Sequence, residues 1–128
     1  MNSSTPETVV VIDDNLLFSS SVTAGLKRLG YAPLLLDDAR TAAERAASAR
    51  PAALLVNLSS LRWDGPALVR SLKAEPALAG VPVIGFTGHT EVARIEAART
   101  AGCDHVVANS AIAGDLAAVL RRALESRS

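Results

Sequence analysis

The side chains of this chain that could do chemistry fall in four places: the adjacent carboxylates Asp13-Asp14, the amide Asn57, the hydroxyl Thr87 and the amide Asn109. Each follows a short apolar run: Thr8 to Ile12, Ala53 to Val56, Val81 to Phe86, and His105 to Ala108. Two neighbouring carboxylates supply hard anionic oxygens of the kind a divalent cation takes. A threonine hydroxyl can bond an anion or cap a helix. An asparagine offers hydrogen bonds but no charge, and its delocalised lone pair makes it no nucleophile. The pattern is that of a polar pocket with two carboxylates, two amides and a hydroxyl, and with an amide rather than a carboxylate at position 57.

Positioning these groups requires apolar strands that end together. Runs at Thr8–Ile12, Ala32–Leu36, Ala53–Asn57, Val81–Phe86 and His105–Ala108 read as strands, that at Ala53–Asn57 as one buried on both faces. Helical patterns alternate with them. Asn15 can cap a helix to about Leu29, with Phe18, Val22, Leu26 and Leu29 on one face and Gly30 as its stop. Asp37 or Asp38 can cap a helix from Ala39 to Arg50 whose inner face is only alanine, so it should pack closely and weakly. Asp64-Gly65-Pro66 opens a short helix with Leu68, Val69 and Leu72 inward, ended by Glu75-Pro76. Another runs from Glu91 to Ala101, and a single last helix carries Ile112, Leu116, Val119, Leu120, Ala123 and Leu124 on one face.

Five strands alternating with five helices predict an α/β fold, a three-layer (βα)5 sandwich around a parallel sheet. The flavodoxin-like order 2-1-3-4-5 is expected, because it sets the ends of strands one and three side by side at the switch point of the sheet. Residues 1–7 read as a disordered leader, 8–125 as one domain and 126–128 as a tail. With 13 acidic and 13 basic residues, net charge offers no reason to expect nucleic acid or an anionic membrane as partner. No stretch approaches the roughly 20 apolar residues that span a bilayer, and no signal peptide is visible. The lone Cys103 allows no internal disulfide and fits a cytoplasmic location. It reads as a small packed side chain, and His89 and His105 as a loop and a strand-edge histidine without a metal-ligating spacing.

With these residues in place, the chain resembles a response-regulator receiver domain of the CheY-like type from about Thr8 to Leu124. The matching pieces are Val-Val-Val-Ile-Asp13-Asp14-Asn15, Asn57 with Asp64-Gly65 seven and eight residues on, Pro82-Val-Ile-Gly-Phe-Thr87, and Ala101-Gly102-Cys103-Asp104. The resemblance implies a phosphoacceptor aspartate after strand three, an acidic pair that holds magnesium, a switch hydroxyl after strand four, a lysine after strand five, and a switch aromatic three residues before it. Asp13 and Asp14 match the acidic pair, and Thr87 the hydroxyl. Asn57 stands at the phosphoacceptor position, Asn109 at the lysine and Val106 at the aromatic.

These departures make the chain an atypical pseudo-receiver. An acyl phosphate needs a carboxylate nucleophile, and without the lysine no fixed cation awaits a phosphoryl group. Three carboxylates with a lysine, and two carboxylates with two asparagines, both total minus two, so the double loss keeps the local charge in balance. Asn57 and Asn109 could bond each other or bracket Thr87. No cofactor is required. Weak magnesium binding at Asp13 and Asp14, with the Asn57 amide oxygen and the Ser59 carbonyl, is the residual metal expectation.

The expected function is a phosphorylation-independent signalling module that binds protein partners: a kinase, another regulator or an output protein. The helix four, strand five and helix five face offers Glu91, Arg94, Ala97, Ala98, Val106, Arg121 and Arg122 for docking or homodimerisation. Trp63 is either an interface anchor or a lid over the pocket. No further domain follows Leu124, which puts the output on another protein unless the chain is a fragment of a longer regulator. The alternatives are a metal- or small-ligand-sensing pocket at Asp13, Asp14, Asn57 and Thr87, or phosphorylation at Asp13, Asp14 or a serine. An enzyme is not expected, because neither a nucleophile with its base nor a Gly-rich phosphate loop is present.

Overall fold

Strands made of Val, Ile and Leu with no polar alternation need cover on both faces, and the structure supplies it for the three central strands, while the edge strands Ala32–Leu36 and His105–Ala108 are largely half-buried and Leu35 is exposed. A computed structural model describes residues 5–88 and 91–125; the expectations for His89, most of the leader and the tail lie outside these residues. The elements are β1 (Thr8–Ile12), α1 (Leu16–Arg28), β2 (Ala32–Leu36), α2 (Ala39–Ala49), β3 (Ala53–Asn57), α3 (Gly65–Ala74), β4 (Val83–Thr87), α4 (Val92–Thr100), β5 (His105–Ala108), α5 (Asn109–Gly114) and α6 (Leu116–Glu125). A single 3-10 turn, Pro76–Leu78, separates α3 from β4. The five strands form one parallel sheet in the order β2-β1-β3-β4-β5, the expected flavodoxin-like arrangement.

Side chains alternate across the sheet, so β1 feeds two cores. Val10 and Ile12 join Leu54, Val56 and the inner faces of α2, α3 and α4, including Ala42, Ala46, Leu68, Leu72 and Ala98. Val9 and Val11 join Leu55, Ile84 and Phe86 against Val22 and Leu26 of α1, Ile112 of α5, and Val119, Leu120 and Ala123 of α6. Register brings the site together. Ile12 pairs with Val56 and Asn57 with Phe86, so Asp13, Asn57 and Thr87 end neighbouring strands.

Two boundaries differ from expectation. β4 begins at Val83 rather than Val81, because Pro82 has no N–H for the ladder, although its carbonyl still accepts from Leu54 N at 3.0 Å. It also extends through Thr87, which pairs with Ala108. The expected single last helix is two helices, broken at Asp115 with φ −150° and ψ 50°. Gly114 is a poor helix former, and Asp115 restarts the turn: its N–H bonds Ala111 O at 2.8 Å and its carbonyl accepts from Val119 N at 3.1 Å. The apolar stripe survives the break, since Ile112, Val119, Leu120 and Ala123 are all buried.

Candidate functional site

The cleft at the carboxyl end of the sheet is built from short side chains that first satisfy their own backbone. Asp13 Oδ1 accepts from Asn15 N at 3.1 Å, and Asn15 Oδ1 caps α1 at Phe18 N, also 3.1 Å. After β3, Asn57 Oδ1 accepts from Ser59 N at 2.7 Å, and Ser60 Oγ accepts from Arg62 N at 2.9 Å, folding the loop tightly. Asp64 then caps α3 at Ala67 N, 3.0 Å. Gly65 is required here by close approach. A Cβ on it would stand 2.7 Å from the Leu58 carbonyl oxygen and 2.9 Å from Leu58 Cα.

Asp13, Asp14, Asn57 and Asn109 line one cleft of about 550 Å³, as expected, together with Ser59, Ser60, Leu61 and Arg62. Asn57 Nδ2 donates to Asp13 Oδ1 at 2.8 Å. Because the carboxylate needs a donor and the Ser59 N–H an acceptor, the amide has one orientation that satisfies both. Its nitrogen thus faces Asp13 while its oxygen is committed to the loop. Asn109 is exposed at the rim, and no bond joins it to Asn57; the amide pair considered from the sequence does not form. Asp13 is 1% exposed, and its Oδ2 is buried with no hydrogen-bond partner. Asp14 Oδ2 accepts from Ser60 Oγ at 2.9 Å and lies 3.8 Å from Arg62 Nε.

Thr87 is fully enclosed and is not among the residues lining the cleft of Asp13 and Asp14. Its hydroxyl contacts the Ser59 hydroxyl, and both donate to Glu91 Oε2, at 2.8 Å from Thr87 and 3.0 Å from Ser59. Glu91 also pairs with Arg94. The Thr87 and Ser59 hydroxyls, and then Arg94, hold the Glu91 carboxyl below the usual carboxylate range.

Three residues assigned to a partner face therefore have other work. Glu91 folds back onto the Ser59 and Thr87 hydroxyls. Ala98 is buried at 0% exposure, because the phase of α4 turns it onto the sheet. Trp63 is half-buried against the core and donates Nε1 to the Asn57 carbonyl at 2.9 Å, which makes it a strut over β3 rather than an exposed anchor. Arg94 is engaged with Glu91; Ala97, Arg121 and Arg122 are exposed, and Val106 is half-buried. The Ser59 and Ser60 hydroxyls, Arg62, and Glu91 as acceptor for Ser59 and Thr87 were not read from the sequence. Position in the loop directly after Asn57 was the available signal for the first three.

Cys103 is buried, bonds the Val83 and His105 carbonyls through Sγ, and is pushed up by burial to about 11. Among the described residues, no group of three or more His, Cys, Asp or Glu side chains could hold a metal. No helix among them is long and apolar enough to cross a membrane. The donor set for a cation is therefore two carboxylates, one with an unpartnered oxygen. That is a partial fit for a hard divalent ion, and the amide nitrogen at position 57 detracts from it.

Fold and cleft together define a doubly wound α/β domain with an acidic pocket at the switch point of its sheet. The response regulator receiver domain model matches residues 9–121, and the chain belongs to that family. No curated protein matches the sequence. Solved structures agree on the fold. The receiver domain of the Pseudomonas aeruginosa sensor histidine kinase PA1611, with magnesium in its active-site cleft, is 24% identical with a TM-score of 0.84, covering 95% of this chain and 100% of its own. The Vibrio cholerae chemotaxis response regulator CheY4 is 20% identical with a TM-score of 0.83, covering 94% and 100%. The receiver domain of a Syntrophus aciditrophicus histidine kinase is 23% identical with a TM-score of 0.80, covering 93% and 90%.

Proposed function

We propose that this receiver domain signals by binding protein partners without forming an aspartyl phosphate. The observation that carries the reading is the bonding of Asn57. Its amide donates to Asp13 and accepts from Ser59 N, a neutral and satisfied arrangement where an acceptor carboxylate would stand. A phosphoryl donor would meet no nucleophile there and, with Asn109 at the rim, no lysine. The Thr87 hydroxyl already has acceptor and partner in Glu91 and Ser59, so its pose does not depend on a phosphoryl oxygen. The partners are signalling proteins: a kinase, another regulator or an output protein. Ala97, Val106, Arg121 and Arg122 remain the parts of the α4–β5–α6 face available for docking or homodimerisation. The domain is a module and not an enzyme.

Intact mass after incubation with acetyl phosphate and magnesium tests this directly. An unchanged mass is expected; a phosphoryl adduct, mapped to Asp13, Asp14 or a serine, would sink the reading.

A second reading rests on the unpartnered Asp13 Oδ2. Magnesium, which the Pseudomonas receiver holds in its cleft, would here be held by Asp13 and Asp14, with the Ser59 carbonyl in reach of the same loop. Bound there, it would supply positive charge to the cleft. Residue-resolved amide NMR during a magnesium titration distinguishes the readings. Saturable shifts confined to Asp13, Asp14, Asn57 and Ser59 favour an ion-sensing pocket; their absence at millimolar metal leaves the cleft as structure.

A further inference from the structure

Leucine and valine side chains left in water are ordinary when scattered and informative when they gather. Among the described residues, the four most exposed large apolar side chains are Leu61 at 101%, Leu17 at 88%, Leu16 at 71% and Val92 at 61%. All four belong to the carboxyl end of the sheet. Leu16 and Leu17 open α1 directly after β1, Leu61 sits in the loop after β3, and Val92 opens α4 after β4. The helices do not need them there, since their buried faces are supplied by Val22, Leu26 and Ala98.

The same end of the molecule carries an electrostatic imbalance. Asp13 and Asp14 contribute two negative charges to the cleft wall, and Asn57 and Asn109 contribute none. The nearest cation, Arg62, stands 3.8 Å from Asp14 with its side chain 72% exposed, a long and solvated pairing. Asp13 Oδ2 has no partner at all. An anionic cleft beside solvent-exposed leucines is complementary to a cationic side chain with apolar neighbours.

We infer that this sheet-end surface docks a partner protein that inserts a lysine or arginine side chain into the Asp13–Asp14 cleft while its apolar neighbours cover Leu16, Leu17 and Leu61. The inference rests on the reading that the domain works by binding proteins, and it adds to the α4–β5–α6 face a second docking surface with its own chemistry. Asp13 and Asp14 with Arg62 leave the cleft at minus one, so an inserted cation would bring it to zero while the partner removes Leu61 of the cleft lining, and Leu16 and Leu17 at the start of α1, from water.

The probe is the tripeptide acetyl-Leu-Arg-Leu-amide, compared with its citrulline counterpart, which keeps the shape of arginine and removes its charge. Both are titrated into the whole chain and followed by amide NMR. Saturable shifts at Asp13, Asp14, Asn57 and Leu61 are expected with the arginine peptide, and binding at least about tenfold weaker with citrulline. Asp14→Asn should abolish that difference, and Leu61→Ser should weaken both peptides about threefold while the fold, checked by its amide spectrum, is kept. Equal binding of the two peptides, shifts confined to another face, or no saturable shift would overturn the inference. So would concentration-dependent dimerisation lost in Leu61→Ser, which would assign the leucines to a second copy of this chain. None of these results depends on whether acetyl phosphate modifies the protein, so the two proposals fail separately.

Discussion

Asn57 and Asp13 show how one atom changes what a cleft can do. The amide nitrogen of Asn57 lies 2.8 Å from Asp13 Oδ1 as a donor; an oxygen in its place would be a second anion at hydrogen-bond distance. Asn57→Asp should therefore destabilise the domain by about 2 kcal/mol in the absence of metal, through like-charge repulsion in a desolvated site. Magnesium should return that stability in the variant, because an ion bound only to the folded state stabilises by mass action, about 2.7 kcal/mol at a hundredfold excess over its dissociation constant. Thermal melts with and without magnesium check this, and a wild-type protein responding as strongly as the variant would contradict it. Asn57→Asp should accept phosphate from acetyl phosphate poorly, and Asn57→Asp with Asn109→Lys better, since only the double variant has a cation to meet the phosphoryl group. Equal labelling of the two would remove the argument about position 109.

Glu91 carries a pH dependence of its own. Hydroxyl donors from Thr87 and Ser59, then Arg94, hold its carboxyl below the value it has in an unfolded chain. A depressed folded value means stability that is complete above the unfolded value, about 4.3 for glutamate, and that drains away as pH falls below it toward the folded value. Glu91→Gln should flatten the stability curve in that acid window by lowering stability at neutral pH, where the wild type has the whole contribution, with the two proteins converging in acid below the folded value. Asp38, held low by Arg40, supplies a background in the same direction, so the test is the difference between wild type and variant across pH in denaturant titrations.

At the scale of elements, the fit of the loop after β3 against α3 decides the register of the site. Gly65 lets α3 start where a Cβ would collide with the Leu58 backbone, and backbone cannot move aside as a flexible side chain can. Gly65→Ala should cost about 1–3 kcal/mol by overpacking, despite alanine's better helix propensity. Urea unfolding measures it; a neutral or stabilising result would mean the loop yields more readily than its bonds to Asn57 and Trp63 imply. The alanine-lined α2 follows the opposite strategy, burying Ala42 and Ala46 without large side chains. The broken α5–α6 segment keeps its apolar face through a change of axis.

For the whole molecule, two cores share one sheet, and β1, β3 and β4 belong to both. Such sharing favours a single cooperative transition, the usual behaviour of domains of this size. Two internal reporters make that testable. Trp63 is the only tryptophan and is tied to the Asn57 carbonyl. Cys103 is the only thiol, its value raised to about 11 by burial and so unreactive at neutral pH. Thiol labelling and tryptophan emission should report the same midpoint in denaturant, with no labelling of the native protein. Separate midpoints would show that the β3–α3 loop opens independently of the α4–β5 side.

Much of this could be read before any coordinates. Strand count, order and the convergence of Asp13, Asp14, Asn57 and Asn109 follow from local signals, because continuous apolar runs, capping residues and the rules for parallel crossovers leave few alternatives. That positions 57 and 109 carry amides, neither a carboxylate nor an amine, also belongs to the sequence, since it depends on functional groups and not on their surroundings. Tertiary structure decided the rest. Which way the Asn57 amide faces depends on Asp13, forty-four residues away in sequence. That Glu91 folds back toward the sheet depends on hydroxyls from two different strand ends, and whether Ala98 or Trp63 meets solvent depends on the phase of a helix and the path of a loop. Periodicity encodes which face of an element is apolar; only packing sets which polar partners stand within 3 Å of each other.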